Sequence, residues 1–157
     1  MNVMKRKLIL LVVALSFVFV GAMHTTVAKT SGEETSQKEP EVTLEYVKNN
    51  LELDQSQKEV KDLLGSHYSK VTGAMENTEM WRYDVGLVKG YTPYNVDGLD
   101  AVDVEGIANG KIKMQILVEW NEYRLVKSYS AYYLNEEDGK VWVYSVYPFG
   151  PKEYAVN

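Results

Sequence analysis

A chain of 157 residues, 45% hydrophobic and 25% charged, has room for one modest core, and this balance excludes both wholesale disorder and a multiply spanning membrane protein. Of 17 basic residues, Lys5, Arg6 and Lys7 sit in an N-terminal leader; the remaining 14 face 22 acidic ones, a formal net charge of −8 that repels phosphate backbones and excludes nucleic acid as a partner. There is no cysteine, which rules out disulfides, a thiolate metal site and the lipidated cysteine of a bacterial lipoprotein.

The leader comes first in chain order. Three basic residues precede an apolar run over 8–20 (LILLVVALSFVFV), then Gly21, Ala22 and a more polar stretch, the order of a secretory signal. Small residues at Thr26 and Ala28 place cleavage after Ala28, so residues 1–28 are expected to be a signal peptide and the protein to be secreted or extracytoplasmic. An uncleaved leader would instead anchor the chain, and would then be its only membrane contact. Residues 29–41 (KTSGEETSQKEPE) hold no apolar side chain able to pack and are expected to form a flexible linker. A single domain over 42–157 follows.

Thr43 caps a first expected helix in which Leu44, Val47 and Leu51 share a face. Ser56-Gln57-Lys58-Glu59 is a capping box for a second, with Val60, Leu63 and Leu64 as its apolar stripe and Gly65 as its stop. The period then changes to two. Trp81, Tyr83, Val85 and Leu87 alternate with Arg82, Asp84 and Gly86, as Ile112, Met114, Ile116, Val118 and Trp120 alternate with the residues between them. Two more strands are expected over 124–134 and 140–149, joined through the Asp138-Gly139 turn signal. The expected fold is α+β, with two short N-terminal helices packed on one face of a four-stranded antiparallel sheet.

The run 53–65 (LDQSQKEVKDLLG), followed after a gap by Trp81-Arg82-Tyr83, resembles the helix-turn-helix and first strand of the BamE-like (SmpA/OmlA) small envelope proteins, an architecture shared with the β-lactamase-inhibitor-protein-like fold. Asp54 stands where that family commonly has Gly, and His67 where it commonly has Pro. The resemblance implies a fold and a non-enzymatic binding or assembly role, without transferring a partner.

Chemistry-bearing patterns are sparse. After the leader the one histidine is His67, with no Cys partner and no His-Glu-x-x-His neighbour, and no Gly-x-Ser-x-Gly elbow occurs, so neither catalytic residues, metal nor cofactor is expected. Asp97, Asp100 and Asp103 form an acidic stretch whose spacing fails the alternate-residue pattern of a calcium loop. The aromatic load, with three Trp and twelve Tyr, concentrates in the strands. Trp120, Tyr132, Trp142 and Tyr144 are the aromatic candidates for a binding face, because such side chains bring apolar area with a polar tip. The expectation is a non-catalytic envelope module that binds a protein partner through this face or through the long loop over 88–110. Two alternatives are an inhibitor of a secreted enzyme, using Asp97, Asp100 and Asp103, and a cell-wall carbohydrate binder.

Overall fold

A computed structural model describes residues 41–156; the expected signal peptide over 1–28 and all of the expected linker except Glu41 lie outside the described residues. Helices α1 (Leu44–Asn50) and α2 (Gln57–Leu64) lead into strands β1 (Ser69–Thr72) and β2 (Glu79–Val85). Helix α3 (Val104–Ala108) follows, then β3 (Met114–Trp120), β4 (Val126–Asn135), β5 (Lys140–Tyr147) and β6 (Gly150–Ala155). All six strands join one antiparallel sheet in chain order, each paired with its sequence neighbour. Among the described residues no helix is long and apolar enough to cross a membrane.

Local chemistry sets the helices. The Thr43 side chain accepts from the Tyr46 N–H, and Ser56 and Glu59 satisfy each other's backbone N–H groups at the start of α2. Gly65, at φ 88°, ends α2 in a conformation that a Cβ would disfavour. The turn between the helices is pinned to the sheet, since the Asp54 N–H donates to the Val126 carbonyl and the Val126 N–H to the Gln55 carbonyl. Val47, Leu51 and Val60 thereby sit on Trp81, Tyr83, Ile116, Val118, Trp120 and Tyr129, which form the main core. The opposite face holds a smaller cluster in which Ile107 and Ile112 pack on Val141, with Tyr132 and Leu134 at its margin.

The expected four-stranded sheet with two helices is therefore corrected to six strands and three helices, with α3 packing against β4 and β5. β1 is four residues long and buries only Val71, too little contrast to show a period of two. β6 has four successive exposed residues including Pro151, so it carries no apolar alternation. α3 spans five residues with Gly106 inside it, and lay hidden in the expected loop over 88–110. The first expected strand also ends earlier than its alternation implied: β2 stops at Val85 because Gly86, at φ 65°, turns the chain before Leu87.

Candidate functional site

The sheet face away from α1 and α2 is covered by α3 at one end only. At the other end a groove of about 320 Å³ opens between the β1–β2 turn and Tyr147. Its floor is Leu117 and Met80, and its polar lining comes from Glu119, Ser128, Ser130 and Thr78. Register explains the convergence, because Glu119 pairs with Ser128, Leu117 with Ser130 and Met80 with Glu119, so that all five side chains emerge on one face.

Glu119 is the electrostatic centre of this groove. Its Oε1 accepts from Thr78 Oγ1 at 3.0 Å and Lys127 Nζ at 2.9 Å, and its Oε2 from Ser128 Oγ at 2.7 Å. Burial works to raise this carboxyl, but the hydrogen bonds from Ser128, Lys127 and Thr78 outweigh it and hold its pKa below the ordinary value. Lys127 also pairs with Glu76 on the groove wall, so its charge is shared between two carboxylates. The Ser130 and Ser145 hydroxyls bond each other at 2.8 Å. Tyr132 lines the same space, its hydroxyl pushed up to about 12 by burial and by the neighbouring Tyr154, Tyr147 and Asp100.

The four aromatic candidates divide between the faces. Trp120 is 4% exposed, edge-on to Trp81 at 4.6 Å within the core beneath the helices. Tyr144 packs on the same core under the Lys48 ammonium, 4.6 Å from its ring, and Trp142 shares that parity, with its indole N–H donating to Asp138. Only Tyr132 faces the groove. Trp120, Trp142 and Tyr144 thus belong to the helix-covered face, because period-two alternation assigns side chains to faces without saying which face the helices will cover.

The acidic candidates do not converge either. Asp97 is exposed in the left-handed region at φ 46°, and Asp100 ties the loop to the sheet by accepting from the Ala74 N–H at 3.1 Å. Asp103 is buried and caps α3 through the Gly106 N–H at 2.8 Å, while also accepting from the Tyr91 hydroxyl and the Tyr94 N–H. Its own N–H donates to Gln115, Gln115 donates to Asp84, Asp84 pairs with Arg82, and Arg82 donates to the Tyr94 carbonyl. This closed ring of polar contacts fastens the loop over 88–110 to β2 and β3. Among the described residues no three His, Asp or Glu side chains are placed to hold a metal ion.

Two further concavities flank the ring. A cleft of about 550 Å³ lies between Tyr91, Tyr94 and Val104, and the one buried charge lining it, Asp103, has three of its roughly four acceptor sites taken within the ring. His67 is exposed beside Arg82 and Asp84 in a separate hollow. Glu119, Ser128, Ser130, Thr78 and Tyr147 escaped the sequence reading. Their signal lay in the positions between the apolar ones of β3 and β4, where a polar Glu119 and two serines alternate with core residues. Compared with protein-family models, curated proteins and solved structures, the chain matches none.

Proposed function

We propose that this chain is a non-catalytic binding module of an exported protein, working through the sheet face that α1 and α2 leave open. The observation that carries the reading is the groove between the β1–β2 turn and Tyr147, which gathers an ionised carboxylate, three hydroxyls and tyrosine rings at the open end of that face. The remaining aromatic-rich face supports the core. The serines in the groove lack the partner a nucleophile needs, since Ser128 donates to a carboxylate whose lowered pKa makes it a weak base and Ser130 is occupied with Ser145. The resemblance of residues 43–84 to BamE-like envelope proteins points to the same class of role. Export rests on the leader sequence, with a partner at the cell surface or in the envelope.

The test is photocrosslinking in cells that secrete the protein, with benzoylphenylalanine placed at Tyr147 or, as a control, at Tyr123. Tyr123 is 75% exposed in the β3–β4 turn, outside the groove. A discrete adduct from position 147 and none from 123 is expected. Equal labelling from both positions, or none from either, would overturn the reading.

A further inference from the structure

We propose that the groove on the open sheet face takes a short neutral oligosaccharide, an inference that rests on the reading of that face as the binding surface. Charge is the first argument. Glu76, Asp100 and Glu119 line the groove and the one ammonium beside them, Lys127, is already shared between Glu76 and Glu119, so an anionic ligand would meet an excess of negative charge. A cationic ligand would compete with Lys127 for Glu76 and Glu119, which that ammonium already spans. Charge thus disfavours an anion, and hydrogen bonding and shape decide among the rest.

Hydrogen-bonding capacity narrows the class. An ionised carboxylate offers roughly four lone-pair sites, of which Thr78, Lys127 and Ser128 use three on Glu119, leaving one acceptor site on Oε2. The hydroxyls of Tyr132 and Tyr147 have no partner among the described residues, and each can donate and accept. A sugar hydroxyl does both, so a polyhydroxylated ring can satisfy an acceptor-only carboxylate and two amphoteric phenols at once.

The rim supplies the apolar half. Tyr147 lines the groove, and Phe149, 72% exposed, stacks on it with ring centroids 5.0 Å apart and planes 10° from parallel. A pyranose ring has a C–H face and a hydroxylated edge, the counterpart of an aromatic ring beside polar groups. The volume of about 320 Å³ lies at the small end of ligand pockets, which run from about 300 to 1,000 Å³. A peptide joining the sheet as an added strand is disfavoured at both edges: the Thr72–Leu99 bridge closes β1, and β6 carries Pro151, which has no N–H to offer.

The experiment is a neutral-glycan array followed by calorimetry of the secreted protein, using the β-1,4-linked tetramers of N-acetylglucosamine and of glucose and any array hit. Saturable binding to a neutral glycan is expected, unaltered by added salt because no ion pair forms. Tyr147→Ala, at a half-exposed position, should weaken it about tenfold and Tyr132→Phe, which keeps the ring, about fivefold. Absence of any neutral-glycan binding, binding that survives both substitutions, or binding confined to charged glycans and lost in salt would each overturn the proposal. If the position-147 photoadduct persists without glycan binding, the sugar class falls and the binding face stands. If neither is observed, both fall.

Discussion

Asp103 is 3% exposed and its carboxylate receives three donors, and this decides how the long loop behaves. Burial works to raise its pKa, but the Tyr94 and Gly106 N–H groups, the Tyr91 hydroxyl and the Arg82 charge outweigh burial and hold it below 3.8. Glu119 is likewise held below its ordinary value of 4.5. Both groups bind protons more weakly folded than unfolded, so their stabilisation is fully present above about pH 5 and is lost as pH falls through the carboxylate range and below. Urea midpoints measured from pH 7 down to pH 3 should fall across that window. Asp103→Asn should cost about 2 kcal/mol at pH 7 and flatten part of the decline, because the amide offers one acceptor oxygen where the carboxylate offers two. Amide exchange should quicken over residues 88–110; unchanged exchange there would show that the polar ring does not hold the loop. From sequence Asp103 was visible as an acidic loop residue, but its partners Gln115, Asp84 and Arg82 sit on β2 and β3, and only the fold brings them to it.

At the scale of elements, α1 and α2 were legible because their punctuation is local: Thr43, the Ser56–Glu59 box and Gly65 act within a turn of the chain. Ser56→Ala removes the acceptor of the Glu59 N–H and the Ser56 hydroxyl's own bond to the Glu59 carboxylate, and should cost about 1 kcal/mol in urea denaturation. A loss near zero would mean that the Val60 contact and the tether from Gln55 to Val126 position α2 without its cap. The central strands were legible for the same local reason, since one face of each is core. β1, β6 and α3 were not, because their order comes from neighbours: β1 from pairing with β2 and the Leu99 bridge, β6 from pairing with β5 and the Lys48–Glu153 contact, and α3 from Ile107 and Ile112 against Val141. The groove shared that fate. Its side chains occupy the non-core positions of β3 and β4, which become a lining only once the helices have covered the other face.

Across the whole described domain, pairing in chain order leaves two edge strands, and the molecule treats them differently. The β1 edge is shielded by the 96–100 segment, with the Thr72 N–H donating to the Gly98 carbonyl and the Asp100 N–H to the Thr72 carbonyl. β6 has no such cover, and its protection lies in composition: Pro151 withholds a donor, and Lys152 and Glu153 place charge beside the edge. Glu153 is also engaged, accepting from Lys48 at 2.7 Å and from the Tyr133 hydroxyl at 2.7 Å, which holds the strand against α1. Replacing Pro151 and Lys152 together by threonine keeps that anchor while restoring an N–H and removing a charge. Sedimentation velocity should then show concentration-dependent self-association beyond that of the parent protein. An unaltered sedimentation profile would mean that the Glu153 anchor and the net negative charge protect this edge without help from Pro151.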